Sequence, residues 1–273
     1  MKTSGQRRKA LHLSYCFYFL GLGIFSCGFI FPAAASAVPS GPLNGSSNAT
    51  EDLDVAEEGA EVERLNDPFE SVNRSIFAFN DTVDVYLLEP VAKGYKAALP
   101  APIRRCVRNF FNNAKTPVYV LSDLVQLKFS QAGEHTGRFL INSTLGFLGL
   151  ADAATTLFTP HKDADFGIAL GYNGVKEGPY IVIPILGPSN VRDVVGRVVD
   201  TFVNPISYVA SAFDADDFVV YGSYALDGID QRARLIDAVE SAKESSTDYY
   251  SFIQSTYHQV RQNQIYDNDP PED

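Results

Sequence analysis

Asp67-Pro68-Phe69-Glu70-Ser71-Val72-Asn73-Arg74-Ser75-Ile76-Phe77-Ala78-Phe79-Asn80 is the segment on which the fold class turns. An acid followed by proline and, three places on, a glutamate is a helix start: Asp67 serves as N-cap, Pro68 suits the first helical position and Glu70 stands at the capping-box position. Phe69, Val72, Ile76, Phe79, Val83 and Tyr86 then recur at steps of three and four, which predicts one apolar helix face ending before Pro90.

The same period continues outward. Ile103, Cys106 or Val107, and Phe110 predict a short helix. Thr116-Pro117 opens another through Leu121, Leu124 and Val125, and Ser130 begins a fourth toward Phe139, Leu140 and Leu145. In Asn190 to Val203 the valines at 191, 194, 195, 198 and 199 with Phe202 form one face, and Arg192, Asp193, Arg197 and Asp200 form the other, with Asp193 and Arg197 spaced to pair. Asp230 to Arg261 reads as two more helices, the second carrying Tyr249, Phe252, Ile253, Tyr257 and Val260. The chain is therefore mainly α, and with no repeat of 20 to 50 residues it is not a solenoid.

One region does not fit a plain bundle. Phe139 to Phe158 carries a single charge, Asp152, but is interrupted by Asn142, Ser143, Thr144 and Gly146. Periodicity alone favours a buried core helix followed by an apolar loop over a segment that sits in a membrane. The glycines that follow, at 167, 171, 174, 178 and 187, predict tight turns and close backbone packing.

The ends are different in kind. Residues 1–37 have the order of an export signal: Lys2, Arg7, Arg8 and Lys9, an apolar run from Leu11 to Phe31, then small residues. Ala35-Ser36-Ala37 places cleavage before Val38. A rival lies at Ile24-Phe25-Ser26-Cys27, a lipobox-like pattern that would make Cys27 a lipidated first residue and shorten the signal to residues 1–26; an uncleaved anchor is the third reading. Residues 38–66 are polar and acidic and read as a disordered linker, as do residues 267–273 as a tail, which leaves 67–266 as the folded domain. The whole chain carries −11, and −15 without the signal, a balance that argues against nucleic acid as a partner. Three cysteines, two of them in the signal region, give no disulfide framework.

Catalytic patterns are missing. The chain has no G-x-S-x-G, G-x-x-x-x-G-K-[ST] or H-E-x-x-H, and its histidines and acids supply no metal set, so neither cofactor nor metal is expected and an enzyme is disfavoured. Ser189 reads as a helix N-cap before Val191 rather than a nucleophile. Cys106, beside Arg104, Arg105 and Arg108, reads as a small buried hydrophobe rather than an activated thiol.

Several motifs in order carry a family resemblance. Asp67 to Glu70, Asn73 to Asn80 and Glu89-Pro90-Val91-Ala92 resemble the opening of the MlaA (VacJ) outer-membrane lipid-asymmetry proteins. Phe166-Gly167, Leu170-Gly171, Gly174-Val175, Gly178-Pro179-Tyr180, Pro184 and Gly187-Pro188-Ser189 with Arg192-Asp193 are similar to the family's second signature. Asp227, Arg232, Asp248 with Tyr249 or Tyr250, and Tyr257 echo its closing helices, so the resemblance spans about residues 66–260. Family members are typically lipoproteins, and the imperfect lipobox at Cys27 departs from that pattern.

The resemblance implies a single ring-like helical domain of amphipathic helices lying in the inner leaflet of a Gram-negative outer membrane, on its periplasmic side. Mislocalised phospholipids would leave the outer leaflet through its central amphipathic channel for a periplasmic carrier of the MlaC type, and a trimeric porin would associate with the ring. On that view Arg192, Asp193 and Asp200 are candidates for the channel wall, Asn73, Phe79 and Asn80 are candidates for gating or packing, and Phe139 to Phe158 dips into the bilayer or lines the pore. A structural scaffold without lipid transport is the alternative from the same residues. The direction of transport rests on the family alone.

Overall fold

The computed structural model describes residues 67–159, 162–212 and 216–266. The predicted signal peptide, Cys27, the acidic linker and the acidic tail lie outside the described residues.

Helix α1 (Glu70–Val83) passes through a π turn (Asp84–Leu88) into α2 (Glu89–Ala98) without a break at Pro90. The expectation of an end before Pro90 fails because the π turn takes up one extra residue: the Glu89 N–H reaches back five residues to the Asp84 carbonyl, and Pro90 falls in the first turn of α2, where no N–H is required of it. Asp67 is not the N-cap of α1 either. It is drawn away by better partners, accepting from Asn73 Nδ2 at 2.7 Å, from the Tyr250 hydroxyl and from Gln254 Nε2 at 3.2 Å, so the chain's first described residue is tied to its last helix.

Helix α3 (Ala101–Val125) is one element of 25 residues where two were expected, with Pro117 inside it. Proline removes one backbone hydrogen bond, but the helix persists because Asn113, Thr116, Tyr119, Ser122 and Asp123 on its polar face are buried on either side of that point. A short turn through Leu127 (φ 59°) returns the chain as α4 (Phe129–Thr144), which packs along α3. A 3₁₀ turn (Ala153–Thr156) leads on to α5 (Phe166–Tyr172), capped by the Asp165 carboxylate accepting from the Ile168 N–H at 2.7 Å.

Strands β1 (Tyr180–Ile183) and β2 (Gly187–Asn190) form an antiparallel hairpin with Tyr180 opposite Asn190 and Ile183 opposite Gly187. Ser189 lies fully buried in β2. The N-cap of α6 (Val191–Val203) is Asn190, whose side chain accepts from the Asp193 N–H at 2.8 Å, because the helix begins one residue later than a Ser189 cap requires. Helices α7 (Pro205–Ala212) and α8 (Asp217–Arg234), which the sequence reading did not single out, precede α9 (Ile236–Ser245) and α10 (Tyr249–Ile265). The mainly helical expectation holds.

Apolar packing is confined to small clusters. Tyr180, Val182, Tyr250 and Tyr257 meet Ile76 and Phe77; Ala92, Ala233 and Ile236 join α2 to α8; Val118, Tyr119 and Ala164 form another with Phe166 and Val203. Between them the interior is polar. Asn73, Asp84, Asp123, His135, Arg138, Asp193, Asp230, Arg232 and Arg261 are buried, while Phe69, Val72, Tyr86, Leu121, Val195, Phe202 and Phe218 are exposed.

Helices α1 and α6 are thus turned inside out, whereas α9 buries Ile236 and Val239 and α10 buries Ile253 and Ile265 in the ordinary way. On α1 the predicted apolar face exposes Phe79 at 52%, and the π turn exposes Tyr86 at 80%; the inward line is Asn73, Phe77, Asn80 and Asp84. On α6 the valine face is outside, with Val195 51% exposed, and Arg192, Asp193, Arg197 and Asp200 are inside. Among the described residues no helix is long and apolar enough to cross a membrane.

Candidate functional site: the polar interior at α6

Helix α6 brings three of the sequence candidates together. Arg192, Asp193 and Asp200 are buried on one face of it, against α5 and α10. The approach of α5 depends on glycine: a Cβ on Gly196 would stand 2.3 Å from the backbone nitrogen of Gly167.

Arg261 of α10 is the hub, and the sequence reading did not single it out. It donates through Nε to Asp193 Oδ2 at 2.6 Å, through Nη1 to Asp165 Oδ2 at 2.7 Å and through Nη2 to Asp165 Oδ1 at 3.0 Å. Asp193 accepts in addition from Arg192 Nε at 3.0 Å, from Asn190 Nδ2 at 3.2 Å and from the Tyr257 hydroxyl. The expected partnership of Asp193 with Arg197 is therefore replaced: Arg261 takes the carboxylate from across the interior, and Arg197 Nη2 donates instead to the Pro188 carbonyl at 3.4 Å. No local spacing announces a partner 68 residues away in the chain. The signal available was a lone arginine on the tyrosine-bearing face of the last helix.

The two aspartates respond oppositely to burial. Burial raises the Asp193 pKa, but Arg261, Arg192 and the Tyr257 hydroxyl outweigh it and hold the carboxyl down at about 2. Asp200 is raised to about 8 by burial and by the neighbouring Asp165 charge, against the N–H of Phe166 and the more distant Arg261 and Arg197. Asp200 is the protonated member at neutral pH. Arg192 Nη2, Arg197 Nη1 and Asp200 Oδ2 are buried atoms that have no hydrogen-bond partner. Such orphans cost roughly 1–3 kcal/mol each, so the unpartnered guanidinium donors and carboxyl oxygen on this face of α6 destabilise the fold.

Further ion pairs extend the polar interior. Arg232 of α8 forks onto Asp84 at 2.6 and 2.9 Å, Lys115 of α3 reaches Asp227 at 2.6 Å, and Arg138 of α4 holds Asp152 at 2.9 Å. His135 Nδ1 lies 2.6 Å from Asp123 Oδ2.

Asn73 and Asn80 occupy a different place. Their amides grip β1 as a neighbouring strand would: Asn73 Nδ2 donates to the Tyr180 carbonyl at 3.0 Å while Oδ1 accepts from the Val182 N–H at 2.9 Å. Two helical turns on, Asn80 Nδ2 donates to the Ile183 carbonyl at 2.9 Å and Oδ1 accepts from the Ile185 N–H at 2.7 Å. Phe79 points outward beside them. Cys106 is half-buried on α3, between the exposed Ile103 and Phe110, rather than in the core expected for it. Phe139 to Phe158 is not a buried helix and loop: α4 ends at Thr144, and Leu145, Phe147, Leu148, Leu150 and Leu157 are exposed.

Known proteins are similar to this chain. A protein of Rickettsia felis is 35% identical over 197 residues, 72% of this chain and 76% of that protein. The intermembrane phospholipid transport system lipoprotein MlaA of Escherichia coli K12 is 31% identical over 211 residues, 75% of this chain and 80% of that one. The protein of the same name from Haemophilus influenzae is 32% identical over 206 residues, with 74% and 80% covered. A solved structure from work on the structural basis for maintenance of bacterial outer membrane lipid asymmetry matches with a TM-score of 0.65 at 30% identity, covering 73% of this chain and 98% of that one. The family model described as MlaA lipoprotein matches residues 65–264, the stretch that holds the asparagine clamp, the hairpin and the Arg261 hub, and the chain belongs to that family.

Proposed function

We propose that this chain transports phospholipid at the bacterial outer membrane without catalysing a reaction. It lies in the periplasmic leaflet, takes phospholipid mislocalised in the outer leaflet through a polar-lined channel and passes it to a periplasmic carrier, with a trimeric porin alongside. The observation that carries this reading is the reversed polarity of α1 and α6: apolar faces at the surface suit acyl chains, and polar faces inside suit headgroups. The names of the E. coli and H. influenzae relatives, and the subject of the matching structure, support the substrate class and an envelope location. Arg192, Asp193 and Asp200, with the orphaned atoms beside them, are the proposed wall.

Deletion of the gene in its own host, followed by measurement of phospholipid exposed on the cell surface, tests the proposal. Surface phospholipid is expected to rise and to return to normal on complementation. Unchanged surface phospholipid, together with recovery of the protein as a lipid-free monomer without detergent, would overturn transport in favour of a scaffold.

A further inference from the structure

After α4 the chain enters a left-handed turn in which Phe147 and Leu148 adopt φ of 53° and 57° and Gly149 follows at 90°. Each non-glycine residue in that region costs on the order of 1 kcal/mol. The turn is nonetheless fixed. The N–H groups of Leu145 and Gly146 donate to the Ile141 carbonyl at 2.8 and 3.2 Å, those of Leu148 and Gly149 to Ser143 and Asn142 at 3.2 and 2.8 Å, and those of Leu150 and Ala151 to Phe147 and Gly146 at 3.3 and 2.9 Å. Asn142 also accepts from the Ala154 N–H at 2.9 Å, and Asn113 packs so closely on Gly149 that a Cβ there would stand 2.6 Å away.

This strained turn displays hydrocarbon. Leu145, Phe147, Leu148 and Leu150 point outward, Phe147 at 78% and Leu148 at 73% exposure, and residues 139–151 contain no charged side chain. In water a loop can leave its N–H groups to solvent and gains nothing from an apolar tip. A non-helical backbone that pairs the N–H groups of Leu145, Gly146, Leu148, Gly149, Leu150 and Ala151 within the turn, beneath apolar side chains, suits a hydrocarbon layer better than water.

The charge beside the tip names the lipid. Asn109 Nδ2 donates to the Leu150 carbonyl at 3.3 Å, so the turn lies against one side of α3. Arg105 is exposed one helical turn before Asn109 on the same side, and Arg108 adjoins it; among the described residues neither forms an ion pair or side-chain hydrogen bond. Residues 90–122 hold Lys93, Lys96, Arg104, Arg105, Arg108 and Lys115 and no acid, although the region 67–266 carries a net −5. An uncharged apolar tip beside unpaired guanidinium groups fits acyl chains below a layer of headgroup phosphate.

We propose that Leu145–Leu150 is a preformed tip that enters the acyl layer, with Arg105 and Arg108 binding the headgroups of anionic glycerophospholipids around it. The proposal rests on the reading that the protein lies in a phospholipid membrane, and adds the point of insertion and the headgroup class.

The chain has no tryptophan, so Phe147→Trp and, separately, Tyr86→Trp give single reporters in the full chain reconstituted into phosphatidylglycerol–phosphatidylethanolamine vesicles with brominated acyl chains. Circular dichroism checks folding, and Leu148→Trp stands in if Phe147→Trp is unfolded. Quenching of both reporters is expected. Adding Arg105→Gln and Arg108→Gln to the Phe147→Trp chain is expected to weaken the preference for phosphatidylglycerol over phosphatidylcholine vesicles by roughly 30-fold, a factor of about five per cation. A quenched Tyr86→Trp with an unquenched Phe147→Trp overturns the tip while the functional reading stands; shielding of that tip only after envelope protein is added identifies a protein partner instead. Two unquenched reporters overturn both readings. A quenched tip indifferent to headgroup and to the arginine changes overturns the anionic assignment.

Discussion

Asp193 and Asp200 stand two turns apart on one face of α6 and titrate on opposite sides of neutrality, at about 2 and about 8. Their contributions to stability run in opposite senses. The depressed Asp193 adds stability above the ordinary carboxylate range, lost as pH falls from about 4 toward 2. The raised Asp200 binds a proton in the fold that the unfolded chain releases, so its share declines as pH rises from about 4 to 8 and stays at its lowest above that. Asp200→Asn is expected to unfold in denaturant with a stability higher than the parent by on the order of 1 kcal/mol at pH 9, and to flatten the decline between pH 4 and 8. Much at this scale was legible in the sequence: Arg192, Asp193 and Asp200 were marked as a charged face. Arg261 was not, because its three aspartate contacts are made across more than 60 residues of chain and leave no spacing to read.

At the scale of elements, α1 and β1 are joined through side-chain amides that imitate a strand. Asn73→Leu removes the partners of the Tyr180 carbonyl and the Val182 N–H, both in a buried setting, and is expected to cost about 2–3 kcal/mol. Hydrogen exchange is the measurement: the Val182 amide should lose protection, whereas amides of α8 should change only as far as global stability does. Most helices were legible here, α7 and α8 excepted, and helix boundaries were not. Asn190 and Asp248 cap their helices through contacts within three residues, which is the range a local pattern covers. Asp67 lost its cap role to Tyr250, and Pro117 lost its power to end a helix to the buried polar row around it, and both outcomes depend on distant packing.

For the whole molecule, the period of an amphipathic helix identifies two faces without saying which one is inside. The valines of α6 and the aromatic residues of α1 were found correctly as stripes, and only the family resemblance placed the charged face of α6 inside, at a channel wall. The burial supplies what the period leaves out: the stripes of α1 and α6 face mostly outward. Replacing Val191, Val195 and Val198 together by serine should therefore change unfolding stability in detergent by no more than about 0.5 kcal/mol per site, the range of ordinary surface substitutions. The same variant should bind phospholipid vesicles more weakly in flotation, which a core substitution of equal size would do only by unfolding.

The π turn at Asp84–Leu88 has a bearing on how this chain can vary. Its one surplus residue is taken up within the turn, and α1 and α2 stay in phase, so that Asp84 faces Arg232 and Ala92, fully buried, meets Ala233 and Ile236. Val85, Tyr86 and Leu87 face outward, and substitutions there are tolerable one by one. Loss of one outward-facing residue from this stretch would close the ladder to an ordinary α-helix and leave α2 facing much as before, because five residues of a π turn sweep about the same angle as four of an α-helix. One residue lost from a regular turn of α1 or α2 would swing everything beyond it by about 100°. In a scan of all substitutions and deletions, this short segment should tolerate single deletions better than the regular turns of α1 and α2 on either side of it: the π turn holds one residue that the helix can lose without turning its neighbours.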